Sequence, residues 1–77
     1  MLSQIKVGGI YQHYKGNHYK VLMLSKNTDD LSTWVVYETL YNNPVAKIWH
    51  RKVEEFMQVG QWEQNAPARP RFVLVEE

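Results

Sequence analysis

His13-Tyr14-Lys15-Gly16-Asn17-His18-Tyr19-Lys20 places the triplet His-Tyr-Lys on each side of a Gly-Asn step. Two alternating aromatic runs around such a pair read as a β-hairpin with a two-residue turn, because Gly16 accepts the positive φ that primed turns demand. In that register Tyr14 faces Tyr19, His13 faces Lys20 and Lys15 faces His18. One face of the ribbon then collects Ile10, Tyr14, Tyr19, Val21 and Met23. The other collects Tyr11, His13, Lys15, His18, Lys20 and Leu22, a basic surface with aromatic and apolar edges. Leu22 and Leu24 fit this pattern poorly, since both fall on the polar side. A slip of one residue, with Lys15 in the loop, exchanges the two faces.

Outward from the hairpin, strand one spans residues 10–15 and strand two residues 18–24. Residues 1–9 form a lead-in in which Leu2, Ile5 and Val7 suit a strand or an ordered arm. Gly8-Gly9 breaks it as a turn; with no Lys-Ser/Thr following, it is not a phosphate loop. Residues 25–32 read as a polar loop. Its Asp29 and Asp30 lack the further oxygen ligands, at set spacing, that a hard cation needs. Residues 33–41 are dense in β-branched and aromatic side chains and apolar on both faces, so they predict a central strand. Asn42-Asn43-Pro44 is a turn leading to a strand over 46–51, with Ile48 and Trp49 on opposite faces.

Val53, Phe56 and Met57 then recur at helical spacing within residues 52–58, a short helix suited to plugging an open barrel end. Residues 59–70 are a long loop interrupted by Gly60, Pro67 and Pro70, with Trp62 either docked on the core or exposed as a contact. Residues 71–75 close the chain as a strand with Phe72 and Leu74 on one face.

With 77 residues and no cysteine, a single core must form without disulfides or a thiolate zinc site. Three Trp, five Tyr and two Phe supply large buried areas for a short chain. No apolar run approaches the roughly 18 residues of a membrane span, and no signal-peptide core is evident, so a soluble cytoplasmic domain is expected. The net charge is only +1, but Lys6, Lys15, Lys20 and Lys26 precede any acidic residue. A modest positive field on the first hairpin follows, although lysines on strand faces are also ordinary protection against aggregation.

Gly9–Gly16, Tyr19–Leu22, Val35–Tyr41, Trp49-His50-Arg51, Phe56 and Arg71-Phe72 resemble the pattern of domain-of-unknown-function family 1653, a small bacterial domain. Lys52 stands where that pattern usually has Pro, and the segment around Asn42–Lys47 is longer. The resemblance implies no activity. It does imply that Glu38, where members often carry Arg, faces water, and that Val35, Tyr37 and Thr39 face inward. The fold expected is a mainly β, SH3-like five-stranded antiparallel barrel with one short helical turn before the last strand.

Function is expected to be non-catalytic. No serine shows a nucleophile elbow, and His13, His18 and His50 lack carboxylates at ligand spacing. The favoured reading is a binding module for nucleic acid or another anionic ligand. Tyr11, His13, Lys15, His18, Lys20, Trp49 and Arg51 are its candidate site, with cations for phosphate or carboxylate and rings for stacking. A pI near 8.0 falls short of a strongly basic footprint. The alternative is a protein-interaction module, binding a peptide or forming a weak homodimer, with Trp34, Trp49, Tyr41 and Trp62 as anchors. No cofactor, metal or membrane partner is expected.

Overall fold

The computed structural model describes residues 5–77, so the lead-in expectation for Leu2 lies outside the described residues. The central hairpin forms, but in another register. β1 (Ile10–His13) and β2 (His18–Lys26) pair antiparallel with Ile10 opposite Lys20, Tyr11 opposite Tyr19 and Gln12 opposite His18. Tyr14, Lys15 and Gly16 form a three-residue loop. Gly16 N–H donates to His13 O at 2.7 Å, and His13 N–H to Asn17 O at 2.9 Å. Gly16, at φ +109°, takes the third loop position, as in hairpins closed by a turn plus a bulge.

The pairs Tyr14–Tyr19, His13–Lys20 and Lys15–His18 are therefore replaced by pairs shifted three positions. An odd shift flips one strand relative to the other. Tyr11 and His13 turn inward beside Tyr19 and Val21, while Ile10 and Gln12 share the outer face with His18 and Lys20. The reason is burial: the inward register hides the Tyr11 ring, 6% exposed, while its hydroxyl accepts the Lys6 N–H at 2.8 Å.

β3 (Thr33–Thr39) pairs with β2, and the ladder carries a bulge. Val21 lies opposite Tyr37 and Met23 opposite Val36, leaving Leu22 as the extra residue. The bulge reverses the alternation downstream of it. Leu24 returns to the inner side opposite Val35, which resolves its misfit in the sequence pattern, and Met23 moves to the outer face. Val35, Tyr37 and Thr39 are buried, as the family resemblance implied.

β4 (Ile48–Lys52) starts two residues later than expected and pairs Val35 with Arg51 and Tyr37 with Trp49. Trp49 and Arg51 thus belong to the inner face, and Ile48, His50 and Lys52 to the outer. α1 (Val53–Phe56) follows at once and buries Val53 and Phe56, whereas Met57 is its half-exposed C-cap. The Phe56 ring stacks on Phe72 at 4.1 Å and meets Tyr11 and Tyr37 edge-on at 5.3 and 5.6 Å. Ile5, Tyr11, Val21, Val35, Tyr37, Val53, Phe56 and Phe72 make one core.

A two-residue ladder, β5 (Val59–Gly60) with β6 (Arg69–Pro70), brackets the long loop, and β7 (Phe72–Glu76) closes the chain. The main sheet runs β4-β3-β2-β1-β7. It is open, with β4 and β7 at its edges; the barrel closure expected from sequence is not found among the described residues. The helix therefore covers the inner sheet face rather than plugging a barrel. Trp62 docks on the hairpin loop, stacked on Tyr14 at 4.8 Å, beneath the Arg71 guanidinium at 4.6 Å. Its Nε1–H donates to Arg69 O at 2.9 Å. A Cβ on Gly60 would lie 3.0 Å from the indole, so a bare backbone lets the ring approach. In the 25–32 loop, Asp30 accepts from the Ser32 amide and hydroxyl, which hold its carboxyl below the usual range. No described helix is long and apolar enough to cross a membrane.

Candidate functional site

The inner face holds a cavity of about 200 Å³ where β1, β2, β3, β4 and β7 meet the Asn42–Pro44 turn. β1 contributes His13, β2 Tyr19, β3 Tyr37 and β7 Phe72; the turn region adds Tyr41 and Asn43, and β4 adds Trp49 and Arg51. Tyr19 is the hub of the wall. Its ring meets Tyr37, Tyr41 and Phe72 nearly perpendicular, with centroids 5.4, 5.5 and 5.6 Å away. Such edge-to-face contacts fix ring positions as well as burying area. The Trp49 Nε1–H donates to Ala46 O at 3.1 Å, so its polar tip is satisfied.

The polar groups of the cavity are donors in excess of acceptors. Asn43 Nδ2 donates to the Tyr41 hydroxyl at 3.0 Å, which lies 2.8 Å from the Tyr19 hydroxyl. One of those two hydroxyls donates to the other, so one hydroxyl hydrogen is left without an acceptor among the described residues. Asn43 Oδ1 already accepts from the Val45 and Ala46 amides at 2.9 and 3.4 Å. His13 Nδ1 accepts the Lys15 N–H at 3.1 Å. Burial, then the fields of Arg71, Arg51 and Lys15, push the His13 pKa down to about 4. The imidazole is neutral at pH 7, and its proton sits on Nε2. Burial, then the hydrogen bond with Tyr41, raises the Tyr19 pKa above its ordinary value, so it too keeps its proton.

Arg51 differs from the other two arginines. Arg69 donates to Tyr14 O and Glu63 Oε1, both at 3.1 Å. Arg71 donates to Glu55 O at 3.0 Å and Gln58 Oε1 at 2.8 Å. Arg51 makes no hydrogen bond among the described residues. Its ion-pair partner is Glu55, with Nη1 and Oε1 3.8 Å apart, and its Nε–H is shut off from solvent without an acceptor among the described residues. A buried donor left unpaired is destabilising and uncommon in folded proteins.

Of the residues expected to form a site, three meet here: His13, Trp49 and Arg51, joined by the expected anchor Tyr41. Tyr11 is a core residue instead of a surface ring, and the flipped strand is the reason. Lys15 lies exposed in the hairpin loop; His18 and Lys20 are exposed on the outer face, with Lys20 opposite Glu38. Trp34 is also on the outer face, its ring 4.8 Å from His50 and 5.9 Å from Lys52 Nζ. Tyr19, Tyr37, Asn43 and Phe72 were not anticipated as site residues. The inward alternation of Val35-Tyr37-Thr39 with Phe72 was the available signal for two of them.

The chain is thus a small, mainly β domain: one open five-stranded antiparallel sheet and one short helix, with a donor-rich aromatic cavity on the inner face. It belongs to the family described as Protein of unknown function (DUF1653), whose model matches residues 9–74. It is similar to the crystal structure of a DUF1653 protein from Bordetella bronchiseptica, with 28% identity and a TM-score of 0.85. The match covers 99% of this chain and 94% of that one. No curated protein matches it.

Proposed function

We propose that this domain is a non-catalytic binding module that takes an anionic ligand in the Arg51 cavity. The observation that carries this reading is the idle guanidinium. Arg69 and Arg71 are engaged in structural hydrogen bonds, while Arg51 lines an aromatic-walled cavity with no hydrogen-bond acceptor of its own. An oxyanion is the complement of a site with surplus donors and low-dielectric walls. The non-catalytic part of the reading has chemical support. A neutral imidazole offers one lone pair as a base, and the Lys15 N–H occupies it in His13.

A second reading, protein interaction, draws support from the outer face. Val45 and Ile48 are exposed there, at 79% and 50%, beside β4, an edge strand among the described residues, while Met23, at 52%, lies on the same face two strands away. An apolar patch on an edge suits a peptide strand or a second copy.

Amide chemical-shift titration separates these readings. The panel is short single-stranded oligonucleotides, mononucleotides, small carboxylates and a peptide mixture, at low and moderate salt. The expected result is shifts at His13, Tyr19, Trp49 and Arg51 that disappear in Arg51→Gln. Shifts confined to His18, Lys20 and the β4 edge would overturn the cavity reading.

A further inference from the structure

Resting on the reading of the cavity as an anion site, we infer that its occupant is a small monocarboxylate carried on a single ring or short apolar stem. Three observations lead there. The first is size. About 200 Å³ is below the roughly 300–1,000 Å³ of pockets that enclose drug-sized ligands, so a whole nucleotide does not fit inside.

The second is charge. The Arg51 guanidinium already has the Glu55 carboxylate 3.8 Å away, and Arg71 is engaged with Glu55 O and Gln58. His13 and Tyr19 hold no charge. One partly compensated cation lining the cavity, with Arg71 and Lys15 acting only from outside it, suits a monoanion, whereas a phosphate monoester, near −2 at pH 7, would enter apolar walls with no second cation in contact.

The third is donor geometry. A carboxylate accepts from a planar guanidinium edge through two oxygens. The unsatisfied hydroxyl hydrogen of the Tyr19–Tyr41 pair and the Nε2–H of His13 remain for its other lone pairs. A small turn of Arg51 away from Glu55 toward such a ligand would give its Nε–H the acceptor it lacks. The walls then choose the rest of the ligand: the rings of Tyr37, Trp49 and Phe72 accept a flat or branched apolar group.

The test holds the ring constant and changes its head. Benzoate, benzamide, phenyl phosphate and benzylamine are titrated into the full chain, followed by backbone amide shifts and the Trp49 indole N–H resonance. Benzoate is expected to shift His13, Tyr19, Trp49 and Arg51. Phenyl phosphate is expected to bind at least about tenfold more weakly, and the amide and the amine to leave the cavity unshifted. Arg51→Lys, which keeps the charge and loses the planar fork, is expected to weaken benzoate by about tenfold. Phenyl phosphate equal to or tighter than benzoate would overturn the carboxylate assignment and leave the anion reading standing. Benzamide equal to benzoate would overturn both. No binding by any ring compound, while other anions still shift the cavity, would overturn this inference alone.

Discussion

Arg51→Met is expected to make the unliganded domain more stable while abolishing anion binding. The Arg51 Nε–H is out of water with no acceptor, a condition that costs about 1–3 kcal/mol. Against its removal stands the ion pair to Glu55, with side chains 33% and 55% exposed; such pairs contribute about 0.2–1 kcal/mol. Methionine keeps an apolar stem of comparable reach, so packing against the sheet is largely retained. The net expectation is a gain of about 1 kcal/mol, which for a domain of this size raises Tm by roughly 4–8 °C. Thermal and urea unfolding at low salt measure it, with Arg69→Met as the contrast. Arg69→Met loses satisfied bonds to Tyr14 O and Glu63 and should lower Tm. An Arg51→Met protein less stable than its parent would refute the reasoning, because the guanidinium would then be structural rather than held ready for a ligand.

Phe56→Ala should destabilise by about 3–5 kcal/mol, a large share of what a small domain has, because its ring joins Phe72, Tyr11 and Tyr37. Urea midpoints would show it, and a loss below about 1 kcal/mol would mean that α1 is not the cover of the sheet. For pH, His13 is held down to about 4 when folded, against 6.5 as the ordinary value. As pH falls from 6.5 toward 4 the unfolded chain takes up the proton first, so stability is present above that window and is lost through it. His13→Gln should flatten that part of the pH profile in urea unfolding; an unchanged slope would count against the burial of His13.

Much of the strand pattern was legible. Thr33–Thr39 announced itself by β-branched and aromatic density, and its burial as a central strand follows from being apolar on both faces. The short helix was visible in the spacing of Val53 and Phe56, though Met57 did not join it. The hairpin was located correctly and its register was not. A glycine in a turn admits positive φ at more than one loop position, and local sequence alone does not choose between a two-residue and a three-residue loop. Leu22 shows the same limit. A bulge adds one residue to one strand only, and the misfit of Leu22 and Leu24 was its local trace.

The candidate site was half legible for the same reason. Lys15, His18 and Lys20 drew attention because basic residues in a row are conspicuous, yet they lie on or beside the outer face. Arg51 was named, but nothing local shows that Arg69 and Arg71 have hydrogen-bond partners while Arg51, among the described residues, has only the ion pair to Glu55. That contrast depends on Tyr14, Glu55, Gln58 and Glu63, which come from separate parts of the chain.

Composition and alternation by themselves determined a small β domain, its central strand, its turn positions and the residues that can bury. These are local properties, set by side-chain shape and by a period of two along a strand. Tertiary structure alone decided which face of β1 is inside, that the sheet stays open, and that His13, Tyr41, Trp49 and Arg51 share one cavity. Those outcomes depend on pairing and packing between residues far apart in the chain, where the burial of Tyr11 and Phe56 outweighs local preference.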